Sequence, residues 1–179
     1  MASETLMIKI ILLGDGRVGK TSLANRFAKN IFRSDYQPTI GINFLIKQAV
    51  YQDQAVKILI FDTAGQEFLS SLRKQHYAAA NGVVIVYDIT NKQTFDDLDK
   101  WVNEIQEEVG DVKTVFVGNK VDLEDKRVVS AEEGKFYAQS VKSEYLESSA
   151  KDDIQVTDIF QSFIDDAIKA NSDDKIVKM

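Results

Sequence analysis

Residues Gly14 to Ser22 read GDGRVGKTS, so three glycines, a lysine and two hydroxyls fall within one short stretch. The spacing Gly14-x4-Gly19-Lys20-Thr21 suits a polyphosphate. Glycines let successive backbone N–H groups turn inward, so that Gly14, Asp15, Gly16, Arg17, Val18 and Gly19 form a nest for phosphate oxygens. A helix opening at Gly19 would direct its positive end at the same place. Lys20 adds a mobile charge for β- and γ-phosphates. Thr21, with Ser22 beside it, offers a hydroxyl to Mg²⁺, which favours a shell of protein, water and phosphate oxygens. The loop alone separates neither ATP from GTP nor a kinase from a switch.

A second string, Asn119-Lys120-Val121-Asp122, supplies a base reader. A carboxylate at Asp122 can accept both N1–H and N2–H₂ of guanine as a charge-assisted pair. Adenine offers neither hydrogen on that edge and would leave a desolvated carboxylate unpaired, a loss on the order of four decades in affinity. Ser149-Ala150-Lys151 follows a later strand, in a place suited to backbone contact with the guanine 6-oxo group.

These motifs need a frame that brings strand ends together. Apolar runs predict strands at Leu6–Leu13, Asn43–Val50, Ala55–Phe61, Gly82–Tyr87, Thr114–Val117 and Glu144–Glu147. Several are continuous rather than alternating, as in Val83-Val84-Ile85-Val86, which is the pattern of strands covered on both faces. Tyr51-Gln52-Asp53-Gln54 reads as a hairpin turn, making the second and third strands antiparallel. Phe95, Leu98, Trp101, Val102, Ile105 and Val109 share one helical face, closed by Gly110. Ser130 to Glu133 reads as a capping box. Val156, Ile159, Phe160, Phe163, Ile164 and Ala167 form a third stripe. From Asn171 the chain turns polar and is expected to fray. The expected fold is α/β, a six-stranded, mostly parallel sheet with one antiparallel edge strand and helices on both faces, binding ligands at the strands' carboxyl ends.

The totals fit. The 179 residues suit one domain with a proper core. A net charge of −6 with no basic run longer than two residues argues against a nucleic-acid partner. Without cysteine there is no disulfide or thiolate chemistry, and one histidine rules out a multi-histidine metal site. No stretch is apolar for long enough to span a membrane.

With GDGRVGKTS, YQPTIGINF (Tyr36–Phe44), FDTAGQE (Phe61–Glu67), VYDIT (Val86–Thr90), GNKVD (Gly118–Asp122) and SAK (Ser149–Lys151) in order, the chain resembles the small GTPases, and within them the Rabs, from Leu6 to about Ala170. The resemblance implies a P-loop NTPase G domain over residues 1–170, with 171–179 opening a flexible tail. It implies GTP and GDP as ligands with Mg²⁺, and slow hydrolysis to GDP in a switch regulating vesicle trafficking. By position, Thr39 resembles the switch I threonine that completes Mg²⁺ coordination, and Asp62 the carboxylate that holds Mg²⁺ through water. Gly65 resembles the glycine whose N–H meets the γ-phosphate, and Gln66 the glutamine that orients the attacking water. Phe32 sits where an aromatic packs on guanine, Tyr36 where a tyrosine closes over the phosphates, and Lys120 along the base. Implied partners are an exchange factor, an activating protein and effectors at Pro38–Phe44 and Phe61–Tyr77. A monomer in the cytoplasm is expected, reaching the cytosolic face of endomembranes through a lipidated tail that this chain lacks.

Departures from the family pattern are local. Arg17 occupies a loop position that is usually small, and is expected to face solvent. Phe68-Leu69 stands where Rabs usually carry Arg-Phe, which predicts a less polar partner surface. The aromatic triad that Rab effectors read falls on Phe44, Phe61 and His76, and two of the three differ from the usual Phe, Trp and Tyr. Two other readings remain open on sequence: a P-loop ATPase or small-molecule kinase, and a GTP-bound interaction module that does not turn over.

Overall fold

The computed structural model describes residues 5–35, 37–39, 41–63, 71 and 74–177. Its strands are β1 (Leu6–Leu13), β2 (Ile42–Tyr51), β3 (Gln54–Thr63), β4 (Gly82–Asp88), β5 (Thr114–Asn119) and β6 (Glu144–Ser148). They form one sheet in the order β2-β3-β1-β4-β5-β6. The β1–β3, β1–β4, β4–β5 and β5–β6 pairs are parallel, and β2 runs antiparallel to β3. This is the expected sheet, with β2 as the antiparallel edge strand. Tyr51 pairs with Gln54 across a two-residue turn. Gln52 and Asp53 both take positive φ, 49° and 62°, the geometry whose twist matches a hairpin.

Successive residues of a strand face opposite sides, and both sides here are apolar. On one side Ile8, Ile10, Leu12, Val84, Val86, Val115 and Val117 pack against α1 (Lys20–Lys29), through Leu23 and Phe27, and against α5 (Val156–Val177), through Ile159, Phe160 and Phe163. On the other side Ile11, Leu13, Val83, Ile85, Tyr87 and Phe116 pack against Leu98, Trp101 and Ile105 of α3 (Leu98–Glu108) and Ala138 of α4 (Ala131–Ser140). The two apolar stripes expected from sequence, Phe95–Val109 and Val156–Ala167, therefore lie in or against the core. β4 is buried along its whole length, which is why its run is continuous rather than alternating.

Two elements differ from expectation. The stripe Phe95–Val109 does not belong to one helix. α2 (Lys92–Asp96) stops at Asp97 and α3 starts at Leu98. The Lys100 N–H donates to Asp97 O at 3.2 Å, a tighter i+3 bond, and Gln93 Nε2 donates to Asp97 Oδ1 at 2.8 Å. The break is small enough that the apolar face stays continuous. The second difference is at the end of the chain, where α5 continues through Asn171 to Val177. Neither Gly nor Pro interrupts that stretch, the Ser172 hydroxyl donates to Ile168 O at 2.9 Å, and Asn171 Nδ2 reaches Gln54 Oε1 at 3.4 Å. Two expectations hold in detail. Ser130 and Glu133 close a reciprocal capping box on α4, and Gly110, at φ 81°, donates its N–H to Ile105 O at 3.2 Å.

Candidate nucleotide site

The carboxyl ends of β1, β3, β5 and β6 converge on a cleft of about 800 Å³. β1 delivers the glycine loop. Gly14 sits so close to β4 that a Cβ would lie 2.1 Å from Val86 O, and its φ is 131°. Gly19 has φ 102°, and a Cβ there would lie 2.2 Å from Asn119 Nδ2. That approach is a lock between the two motifs: Asn119 Nδ2 donates to Val18 O at 2.9 Å, and Asn119 Oδ1 accepts from Ser148 Oγ at 3.1 Å. Asn119 thus ties the phosphate loop to the ends of β5 and β6.

Gly16, Arg17, Gly19, Lys20, Thr21 and Ser22 line the cleft. Lys20 is buried, and its ammonium donates to Gly14 O at 2.7 Å and Asp15 O at 2.6 Å, drawn across the mouth of its own loop. Among the described residues no side chain caps α1, so its first N–H groups are left for a ligand. Val18 turns into the core. Asp15 also turns away: its Oδ1 accepts from Trp101 Nε1 at 2.9 Å, with Lys100 Nζ at 4.0 Å. Burial raises the Asp15 carboxyl above its ordinary range. Any part these two residues take in binding therefore falls to their backbone.

Beside the loop lies a cluster of oxygens. Thr21 Oγ1 donates to Asp62 Oδ2 at 2.7 Å and lies 2.9 Å from Thr39 Oγ1. Asp62 is fully buried, and its other oxygen, Oδ1, has no hydrogen-bond partner among the described residues. Burial raises its pKa, against which the Thr21 hydroxyl and the Lys20 charge act. An orphaned carboxylate oxygen beside two hydroxyls is a donor set that fits a hard divalent cation.

At the other end of the cleft, Asp122 and Lys120 lie on its wall with Ala150 and Lys151. Asp122 Oδ1 accepts from Ser149 Oγ at 2.7 Å, and Lys151 Nζ lies 3.9 Å from Oδ2. Lys120 takes φ 74° and pairs with Asp88 Oδ2 at 2.6 Å. Phe32 is half-buried and also lines the cleft. Tyr36, Gly65, Gln66 and the Phe68-Leu69 pair lie outside the described residues. Of the aromatic trio, Phe44 and Phe61 meet edge-to-face at 4.8 Å, with the His76 ring 5.7 Å from Phe44.

Sequence reasoning missed the supports. Arg26 Nε donates to Ala150 O at 2.9 Å and Nη2 to Lys151 O at 2.9 Å. Arg127 holds Glu147 at 2.7 and 3.0 Å and Glu124 at 2.7 Å, so it joins the stretch after Asp122 to the end of β6. Neither arginine lies within a motif, and no local pattern marks it.

The Ras family model matches residues 9–169. The Ras-related protein Rab-12 of Mus musculus is 39% identical over 164 residues, covering 90% of this chain and 68% of that protein. Rab-12 of Homo sapiens is 38% identical, with 90% and 67% covered. Rab-8A of Bos taurus is 39% identical over 171 residues, with 95% and 82% covered. A match over this length makes the chain a member of the Ras family and, within it, a Rab-type small GTPase, a guanine-nucleotide switch of vesicle trafficking.

Proposed function

We propose that the cleft holds GTP with its triphosphate on the Gly14–Ser22 loop and its base between Asp122 and Ala150. The observation that carries this reading is the fastening of the two motifs to each other, Asn119 to Val18 and Ser149 to Asp122, at the two ends of one cleft. Lys20 places its charge on the β- and γ-phosphates. Thr21, Thr39 and Asp62, the last through water, hold Mg²⁺, and the orphaned Asp62 Oδ1 supports that assignment. When bound, the ion neutralises charge that develops on the phosphate oxygens. Asp122 accepts N1–H and N2–H₂ of guanine, Lys120 lies along the base, and Phe32 packs on it.

Phosphoryl transfer asks a protein mainly for position and charge compensation. From the family resemblance, Gln66 orients the attacking water and Gly65 meets the γ-phosphate, while Tyr36 closes over the phosphates. With no catalytic arginine among these groups, intrinsic turnover is slow, and a partner's arginine adds about three to five decades. Loss of the γ-phosphate then frees Thr39 and Gly65. Rab-type switches work with exchange factors, activating proteins and effectors. We place these at Pro38–Phe44 and Phe61–Tyr77, and place the working protein on the cytosolic face of endomembranes through a lipidated tail. Among the described residues no helix is long and apolar enough to cross a membrane.

Competition among GTP, ATP and xanthosine triphosphate tests the base reading. The wild type is expected to prefer GTP. Asp122→Asn is expected to move toward xanthosine triphosphate, because an amide can donate to the xanthine carbonyl. Equal retention of ATP and GTP by the wild type would refute it.

A further inference from the structure

Arg26 lies on α1, the helix that carries Lys20, yet its guanidinium is spent on the opposite end of the cleft. Nε and Nη2 donate to Ala150 O and Lys151 O, both at 2.9 Å, and Nη1 donates to Asn30 Oδ1 at 3.1 Å. Asn30 ends α1 at φ 54°, and its own N–H donates back to Arg26 O at 2.9 Å. The planar fork is therefore held on three sides, and two of its three partners are consecutive carbonyls of one loop.

A peptide unit is planar, with its C=O and N–H pointing opposite ways. Holding Ala150 C=O toward α1 fixes the direction of the Lys151 N–H, and holding Lys151 C=O fixes that of the Asp152 N–H. The second effect is visible: Asp152 N–H donates to Ser149 Oγ at 3.0 Å, and Ser149 Oγ donates to Asp122 Oδ1 at 2.7 Å. Ser149 is held independently by its paired backbone bonds with Ile154, at 3.2 and 3.0 Å, so Asp122 has a support that does not pass through Arg26. The direction of the Ala150–Lys151 peptide has Arg26 as its side-chain anchor.

We propose that Arg26 is a positioning residue for guanine, orienting the backbone N–H of Lys151 toward the 6-oxo group of the base. This rests on the base lying between Asp122 and Ala150. Lysine cannot replace the fork, because one ammonium on a flexible stem lacks the rigid spacing that meets two neighbouring carbonyls.

The test measures affinities of GDP, 6-thio-GDP and IDP for the wild type, Arg26→Met and Arg26→Lys, with a thermal melt of each. 6-Thio-GDP keeps N1–H and the 2-amino group but replaces the 6-oxo acceptor with sulfur. IDP keeps the 6-oxo group and lacks the 2-amino group that Asp122 reads. Losing charge-assisted bonds is expected to weaken GDP binding about tenfold in Arg26→Met. The preference for GDP over 6-thio-GDP should fall at least about threefold in both variants, with a smaller change in the preference for GDP over IDP. A uniform loss for all three nucleotides, or no loss, would overturn the proposal and leave Arg26 as a packing residue. So would an IDP ratio that falls as far as the 6-thio ratio. Should Arg26→Met fail to fold, Arg26→Lys decides alone. A wild type that binds GDP no better than ADP would instead refute the guanine reading of the site.

Discussion

Arg17 holds φ at 68° in the phosphate loop, is exposed, and lines the cleft. A residue with a Cβ gives up about 1–2 kcal/mol in the left-handed region, a penalty glycine escapes. Arg17→Gly is therefore expected to raise the melting temperature by about 2–4 °C, the shift that roughly 1 kcal/mol gives a chain of this size. Single-turnover hydrolysis without an activating protein should stay at the wild-type rate, and a slower variant would show that the guanidinium assists the reaction. Gly19 is the opposite case, since its φ of 102° and the 2.2 Å approach of Asn119 Nδ2 leave no room for a methyl group. Gly19→Ala should lose about 2–4 kcal/mol of stability in denaturant titration, because strain and a broken Asn119–Val18 bond act together. Phosphate-loop and base-reading residues were legible in the sequence because local spacing carries their chemistry. Arg26 was not, because its partners lie 124 and 125 positions along the chain and nothing local marks an arginine that reaches that far. Asn119 was legible as a motif member but not as the fastener of the phosphate loop, for the same reason.

Elements were legible where two signals agreed. The hairpin at Gln52-Asp53 was marked by two flanking apolar runs and a polar pair between them, and its positive φ values follow from the strand twist. Neither residue is the one that turn favours. Gln52→Asn with Asp53→Gly should therefore raise the melting temperature by a few degrees and leave GDP release unchanged, since β2 and β3 separate the turn from the cleft by about 30 Å. A changed release rate would mean that strain in the turn is transmitted along the strands. The α4 cap shows a second agreement, and it sets a pH dependence. Backbone donation from Ser130 comes first, then the Lys92 ammonium at 3.0 Å, and together they lower Glu133 from 4.5 to about 2. A depressed carboxylate favours the folded state above its unfolded pKa, and that advantage is lost as pH falls from about 4.5 toward 2. Melts of the wild type and Glu133→Gln should thus differ most at neutral pH and converge only below about pH 2, where the carboxylate is protonated in both states. The break at Asp97 had no sequence signal, because the apolar stripe runs through it. The extension of α5 to Val177 was hidden by composition, since polar residues describe an exposed helix as well as a frayed end.

At the scale of the molecule, neither core closes the cleft by itself. One lies beneath α1 and α5, the other beneath α3 and α4, and the sheet between them presents four strand ends to one ligand site. The fastenings across that edge are polar: Asn119 to Val18, Ser149 to Asp122, Thr21 to Asp62, and Arg26 to Ala150. Each joins elements distant in sequence, and each borders a group proposed to meet nucleotide or metal. A ligand that spans the cleft binds the folded chain, in which these fastenings are in place, so its binding free energy adds to folding by mass action. Free GDP with Mg²⁺ at about a thousand times its Kd should contribute about 4 kcal/mol, or roughly 8–16 °C in melting temperature for a chain of this size. Removing the cation with a chelator should return part of that increment and speed GDP release, because the buried Asp62 carboxylate then faces the phosphates uncompensated. Asp122→Asn should leave the ligand-free melt near the wild-type value, lose much of the increment with GDP, and regain it with xanthosine diphosphate. The wild type should gain almost nothing from ADP. If ADP raised the melting temperature as far as GDP does, the cleft would be gripping phosphate without reading the base, and the coupling of fold to guanine would be absent.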